Sequence, residues 1–313
     1  MASLEIVIPT FNSELTIGET LASVTNQTVQ PRVVNIVDDG SADETIHIAS
    51  QFESDLNLRI IELKSNTGPW AARNAGVKGS NADYISFVDS DDVLLTEHVE
   101  AHLELFQHGY DAVATNFLDW KPDSNEKRLD PRKFPTVSNR EKLILKRNFV
   151  AGFSSIRRDV FEELGGFRPE VTEDWDLWIR FFRKQYSMCK SSKPTYLYRW
   201  REGSTSRTSE AYIRDLNTLK LARAESATTS LKISIDKKVA SMMIISFLTQ
   251  NQYPLERETE IIYTFPVGVR KIHSLLNFLD RYTPGLIKCS IMQFQRWMRR
   301  GVSVKWRFRT IDL

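Results

Sequence analysis

Residues 84–92, Tyr-Ile-Ser-Phe-Val-Asp-Ser-Asp-Asp, run an apolar segment directly into three carboxylates, Asp89, Asp91 and Asp92. Tyr84, Ile85, Phe87 and Val88 have the character of a strand inside a sheet. Carboxylates placed where such a strand leaves its sheet crowd one another. Two of them about 5 Å apart repel by roughly 3 kcal/mol at an effective dielectric of about 20. A cation or a shell of hydrogen-bond donors between them relieves that repulsion. Hard oxygen ligands in small number, with room left for a substrate's phosphate oxygens, suit Mg²⁺ or Mn²⁺. The same residues would also serve if one capped the helix near Thr96 and the others were solvated. The segment alone leaves both readings open.

Four further clusters carry chemistry. Asp38-Asp39-Gly40-Ser41 favours a turn, which accounts for Gly40 and Ser41 better than for the doubled Asp. An Asp in that place suits a ribose hydroxyl or a base N–H. Asn66 to Gly76 is a Gly-Pro turn leading into an Ala-rich helix, with Pro69 fit for its first turn. Arg73 stands there among small residues, as a surface charge or as a guanidinium that meets a phosphate or stacks on a base. Glu173 and Asp174 open a helix whose Leu177/Phe181 and Trp178/Phe182 spacings mark a core face. They either favour the helix dipole or supply a general base beside Trp175. His98 and His102 share a helix face but lack the HExxH pattern and any nearby Cys, so a solvated face is expected. Neither GxGxxG nor GxxxxGK[ST] occurs, which removes the dinucleotide fingerprint and the P-loop.

These residues need elements to position them. Strands are expected at Leu4–Ile8, Val33–Val37, Leu58–Leu63, Tyr84–Val88 and Ala112–Thr115, with helices at about 13–26, 43–54, 69–78 and 96–108. That β-α alternation predicts an open, mostly parallel sheet with helices on both faces. Ligands of such sheets bind beyond the carboxyl ends of the strands. The polar clusters Pro9-Thr10-Phe11-Asn12, Asp38–Ser41 and Asp89–Asp92 fall there. An irregular excursion over 119–139 should follow, then a short helix near 140–147, a strand at Phe149–Ile156 and a helix from Asp174 to about Lys184. Past residue 208 only helices are expected, near 210–230, 236–252, 268–281 and 286–300. The chain is therefore read as a catalytic unit, 1–208, and a helical C-terminal region, 209–313.

The net charge of +2 conceals a split of −7 over residues 1–200 and +9 over 201–313, so the second part should face something anionic. Two cysteines, Cys189 and Cys289, are too few for a disulfide framework and fit a reducing compartment. The strand-like start leaves no signal peptide, and the longest apolar run, Val239 to Leu248, is too short to span a bilayer. A cytoplasmic location is expected. Residues 281–313 hold eight Lys/Arg against Asp312 alone, interleaved with Phe294, Trp297, Met298, Trp306 and Phe308. That tail either packs on the rest of the protein or makes a peripheral contact with anionic membrane. Nothing else in the chain supports nucleic-acid binding.

Taken together and in order, these clusters resemble the family 2 glycosyltransferases of GT-A fold over about residues 4–208. Gly165-Gly166-Phe167 and a block from Tyr198 to Ser206 share the likeness. The resemblance implies a nucleotide-sugar donor, an inverting transfer to a hydroxyl of a saccharide or lipid-linked saccharide, and cell-surface polysaccharide synthesis. It implies that Pro9, Thr10, Asn12, Asp38, Asp39, Arg73, Asp89 and Arg201 hold the nucleotide sugar. Asp89 and Asp91 would form the family's DxD and bind Mg²⁺ or Mn²⁺. Asp174 falls where the family places its base. Many relatives carry His where Arg201 stands; arginine cannot ligate a metal, but it can neutralise phosphate. Two rivals are a non-catalytic member that binds nucleotide sugars or glycans within an assembly, and a nucleotidyltransferase. The second would need a triphosphate-binding loop, which the sequence lacks.

Overall fold

A computed structural model of the chain describes residues 2–130, 134–200, 209–249, 261–262 and 264–282. Strand β1, Leu4–Thr10, is buried along its whole length, as a strand covered on both faces must be. It pairs in parallel with β2 (Val33–Asp38) on one side and β4 (Tyr84–Phe87) on the other; β3 (Leu58–Glu62) continues beyond β2. Helices α1 (Ile17–Thr25), α2 (Thr45–Ser50) and α3 (Pro69–Val77) make the crossovers, and α4 (His98–Gln107) follows the short β5 (Val93–Leu94). Beyond β4 the sheet runs through β9 (Ser155–Arg157), antiparallel to both neighbours, then β6 (Ala112–Ala114) and β10 (Met188–Lys190). The expected mostly parallel α/β architecture is therefore present. Thr10 aligns with Asp38, and Asp38 with Glu62, so the polar clusters share one edge.

Helix α3 lies unusually close to the sheet. A Cβ on Gly76 would stand 2.4 Å from Val7 Cγ1 and 3.0 Å from Val37 Cγ2, so only glycine lets the helix seat there. That seating fixes Arg73 above the carboxyl edge. The same half of α3 is tied to the turn after α6 (Arg158–Glu163): the Asn74 amide donates to the Phe167 carbonyl and accepts its N–H, both at 2.9 Å. Gly165 and Gly166 take φ of 79° and 67° in that turn, the left-handed region that glycine enters without strain. Helix α7, Glu173–Arg183, then begins a few residues on, and Trp175, Leu177, Trp178, Ile179, Phe181 and Phe182 bury its core face.

Three local expectations are corrected. The segment 119–139 is not irregular throughout: β7 (Phe117–Lys121) and β8 (Glu126–Leu129) form a hairpin, turned at Pro122–Ser124 and Asn125. This hairpin joins β5 and β11 (Tyr196–Arg199) in a second sheet, ordered β5-β11-β7-β8. The strand expected at Phe149–Ile156 shrinks to Ser155–Arg157. Its earlier residues make irregular bonds instead, with Thr115 Oγ1 donating to the Phe153 carbonyl at 2.8 Å and its N–H to Ser154 Oγ at 3.2 Å. His98 and His102 are fully buried rather than solvated. Hydroxyls supply their partners: Ser86 and Thr195 each lie 3.1 Å from His98, and Ser155 lies 2.6 Å from His102.

Two compact units divide after Ala227. Helix α8, Ser209–Ala224, which was expected to open the C-terminal region after residue 208, belongs to the first unit. The Thr172 N–H donates to Thr218 Oγ1 at 2.9 Å and its hydroxyl to Asp215 at 2.5 Å, which anchors α8 at the start of α7. In the second unit, α9 (Thr229–Thr249) packs with a helix over Val267–Tyr282 around Ile235, Val239 and Met243. The helix expected near 286–300 lies outside the described residues. Among the described residues no helix is long and apolar enough to cross a membrane.

Candidate active site

The loop after β2 is held by its own carboxylates. Asp38 accepts the Ser41 N–H at 2.9 Å and the Ser41 hydroxyl at 2.5 Å, closing the turn at Gly40. Asp39 accepts the Thr67 and Gly68 N–H groups at 2.8 and 2.7 Å, so it ties β2 to the loop that enters α3. Asn12, at φ 47°, bridges to the same turn through Ser41 Oγ and the Ala42 N–H. Pro9 and Thr10 are buried at the end of β1, and Thr10 Oγ1 has no hydrogen-bond partner among the described residues. The turn at Gly40 therefore accounts for Asp38, while Asp39 is engaged by the loop before α3.

The three aspartates after β4 part ways. Asp92 is fully buried and turned inward, accepting the Tyr196 hydroxyl at 2.8 Å and the Arg199 N–H at 2.7 Å. Burial, with the nearby charges of Asp89 and Asp91, holds its carboxyl well above the usual range. Asp89 and Asp91 stay half-buried. The Asp91 carbonyl accepts Arg199 Nε at 2.5 Å, and Arg199 also pairs with Glu19 and lies 4.5 Å over the Trp120 ring. The second sheet therefore grips this loop from behind through Tyr196 and Arg199.

Arg73 is buried between two carboxylates: one guanidinium nitrogen contacts Asp89 at 2.6 Å and the other contacts Glu173. Burial works against its charge, but Asp89 and Glu173 outweigh that and hold it above its ordinary pKa. Arg73 so connects the exit of β4 to the start of α7. Next to Glu173, Asp174 accepts the Trp175 N–H and the Asn148 amide, both at 2.8 Å. Burial, then the neighbouring charge of Glu173, pushes the Asp174 carboxyl up to about 6. Arg73, Asp89, Glu173 and Asp174 all line one cleft of about 760 Å³, floored by Phe117, Phe153 and Phe167. A carboxylate with such a pKa beside a cavity can take a proton near neutral pH.

Of the residues singled out in the sequence, Arg73, Asp89 and Asp174 meet at this cleft. Pro9, Thr10, Asn12, Asp38 and Asp39 lie along the carboxyl edge of the sheet, and Arg201 lies outside the described residues. Sequence reasoning missed Asn148, a single amide in a loop with no motif around it. It also missed Tyr196 and Arg199, whose partners are about a hundred positions away.

The exit of β4 fits a divalent cation. Asp89, whose Oδ1 contacts Arg73, and Asp91 are both half-buried, and their carboxylates are hard oxygen donors. No group of three or more His, Cys, Asp or Glu is arranged to hold a metal among the described residues. Two carboxylates with positions left for water and phosphate oxygens are the arrangement Mg²⁺ takes at phosphate sites.

The family described as "Glycosyl transferase family 2" matches residues 5–165. The chain is 34% identical over 104 residues to an uncharacterised glycosyltransferase of Haemophilus influenzae, which covers 33% of this chain and 42% of that protein. It therefore spans less than half of that relative's length. It is 24% identical over 244 residues to the GalNAc(5)-diNAcBac-PP-undecaprenol beta-1,3-glucosyltransferase of Campylobacter jejuni, covering 76% of this chain and 78% of that one. The crystal structure of Staphylococcus aureus TarS 1–349 in complex with UDP-GlcNAc superposes with a TM-score of 0.63 at 20% identity, covering 99% of this chain and 95% of that chain. The fold is GT-A.

Proposed function

The chain belongs to glycosyl transferase family 2, and on that premise we propose an inverting transfer of a sugar from a nucleoside-diphosphate sugar to a hydroxyl of a glycan or lipid-linked saccharide. The observation that carries this reading is Asp174, half-buried on the wall of the cleft that also holds Arg73 and Asp89, with its pKa pushed up to about 6. Asp174 takes the proton of the acceptor hydroxyl as that oxygen bonds to the anomeric carbon. The bond from that carbon to the diphosphate oxygen breaks on the opposite face, and the nucleoside diphosphate leaves. One positioned carboxylate is enough for such an inversion.

Asn148 and the Trp175 N–H hold Asp174 in place, and burial, then the charge of Glu173, keeps its proton affinity high. Asp89 and Asp91 would hold Mg²⁺ or Mn²⁺, which supplies charge neutralisation for the departing diphosphate. Pro9, Thr10, Asn12, Asp38 and Asp39 shape the nucleotide end, with the backbone of the 38–41 turn held rigid for it. Arg201 is proposed to neutralise the diphosphate where relatives often carry His. The Campylobacter relative's named acceptor is lipid-linked, which supports a place in cell-surface polysaccharide synthesis at the cytoplasmic face of a membrane.

The test is release of nucleoside diphosphate from a panel of UDP-, GDP-, dTDP- and CDP-sugars with Mn²⁺. Turnover that EDTA abolishes, and that Asp91→Asn lowers by about 10²-fold or more without unfolding, is expected. Full activity in EDTA would remove the metal from the account. Donor binding with no transfer to any saccharide would favour the non-catalytic reading.

A further inference from the structure

Residues 89–92 carry the carboxylates that fit a cation, and hydroxyls from two other elements hold their backbone. Tyr196 on β11 is fully buried, its ring stacked on Phe153 with 4.0 Å between centroids and 7° between planes. Its hydroxyl donates to the Asp92 carboxylate at 2.8 Å and accepts the Asp89 N–H at 3.2 Å. Thr20 on α1 is fully buried as well. Its hydroxyl reaches the carbonyls of Asp92 at 2.8 Å and Ser90 at 3.0 Å, besides the Thr16 carbonyl beside its own helix at 3.3 Å. The Asp92 N–H closes the turn on the Asp89 carbonyl at 3.1 Å, and the Ser90 hydroxyl lies 2.8 Å from that of Ser13.

A phenol has one proton to donate and lone pairs left to accept. Given to Asp92, that proton leaves the oxygen to accept from Asp89, so one hydroxyl spaces the two ends of the loop. Thr20 fixes the carbonyls of Ser90 and Asp92 from the side of α1. Mg²⁺ demands near-ideal octahedral geometry, so the spacing of Asp89 and Asp91 decides how well both meet one ion. Groups that orient metal ligands without touching the metal typically set its affinity by about 10–100-fold.

From this arrangement we propose that Tyr196 and Thr20 are positioning residues for the divalent cation: their hydroxyls fix the backbone of residues 89–92 so that the Asp89 and Asp91 carboxylates meet one ion. The proposal rests on the cation reading of those two aspartates. It makes α1 and the second sheet part of the cation site through hydroxyls that hold the ligands rather than through ligands of their own.

Titration of the full chain with MnCl₂, read from the loss of the electron paramagnetic resonance signal of aqueous Mn²⁺, measures the cation without turnover. Asp91→Asn identifies the part of that loss that belongs to this site. Tyr196→Phe keeps the ring on Phe153, and Thr20→Val keeps the shape of the threonine. Each should weaken Mn²⁺ binding by about tenfold or more. If Tyr196→Phe does not fold, Thr20→Val decides. Ser86→Ala removes another buried hydroxyl, one that serves His98 rather than the loop, and should lower the urea midpoint while leaving Mn²⁺ affinity unchanged. Wild-type Mn²⁺ affinity in either folded hydroxyl variant overturns the proposal while the cation reading stands. An equal loss in Ser86→Ala also overturns it, because affinity would then follow stability alone. If wild type shows no Mn²⁺ binding that Asp91→Asn removes, the cation reading itself fails and takes the proposal with it. The expected losses of Mn²⁺ binding without transfer from any nucleotide sugar would support the proposal and remove only the transferase reading.

Discussion

At Arg73 one guanidinium meets two carboxylates that come from different elements, Asp89 after β4 and Glu173 at the start of α7. The sequence suggested a phosphate-binding arginine; the structure gives its two terminal nitrogens to protein carboxylates. Removing it would leave both acids facing each other across the cleft. Breaking a buried pair typically costs 3–5 kcal/mol, and the partial exposure of Asp89 and Glu173 moves the expected loss for Arg73→Ala to about 2–4 kcal/mol. Urea unfolding should show that loss, and Arg73→Ala combined with Glu173→Gln should recover part of it. A loss below about 0.5 kcal/mol, the value of an exposed pair, would mean that the triad is not a unit. The residue scale was only partly legible. Asp174 and Asp89 could be named from their neighbours, whereas the partner of Arg73 a hundred positions away could not.

At the scale of elements, helix α4 turns His98 and His102 into the sheet rather than to water, and that has a consequence in acid. Burial lowers the His98 pKa to about 3 and, together with His98, holds His102 well below the usual histidine range. A histidine whose folded pKa is depressed contributes stability above its unfolded pKa, about 6.5, and loses it as pH falls toward the folded value. Asp174, raised to about 6, acts with the opposite sign over the range between that value and the unfolded value of about 3.9, so the wild-type curve alone mixes the two. The variant His98→Asn isolates the histidine. Its deficit against wild type should narrow by about 2 kcal/mol between pH 7.5 and 5.0, measured by urea unfolding at both. A constant deficit would place the His98 ring in contact with water.

The β-α alternation and the carboxyl-edge clusters were readable because strand and crossover helix follow one another along the chain. The second sheet was not, since β11 pairs with β7 across about eighty residues and β5 is two residues long. Short strands carry too few alternating positions to show a period. The helix face of His98 and His102 was misread for a related reason: the Ser86, Ser155 and Thr195 hydroxyls that make their burial tolerable belong to three other segments.

Over the whole molecule the charge divides at about residue 200, acidic before it and basic after it. The acidic part supplies most of the cleft's lining, and α8 beyond it supplies Ala211, Arg214 and Asp215. The basic surplus ends in the aromatic-rich segment 281–313, the expected contact with anionic lipid, which lies outside the described side chains. Each Lys or Arg near an anionic surface contributes about 1 kcal/mol, so the eight cations of that segment predict salt-sensitive binding to anionic liposomes, lost on truncation after residue 280. Sedimentation with neutral and anionic vesicles at two salt concentrations checks it. Equal retention by both, or none at low salt, contradicts a membrane contact.

The account of the whole molecule stands on one proton. Asp174 is the group placed to take it, and its raised pKa fixes where the rate must fall. The direct measurement is the single-turnover transfer rate against pH, at saturating nucleotide sugar, for wild type and Asp174→Asn. The wild-type rate should be level above pH about 6 and fall about tenfold per unit below it, as the carboxylate becomes protonated. The variant should be about 10²–10⁴-fold slower on the plateau, with no acid limb and with nucleoside diphosphate bound as in wild type. A variant within tenfold of wild type, or one that keeps the same acid limb, would contradict the assignment of Asp174 as the base.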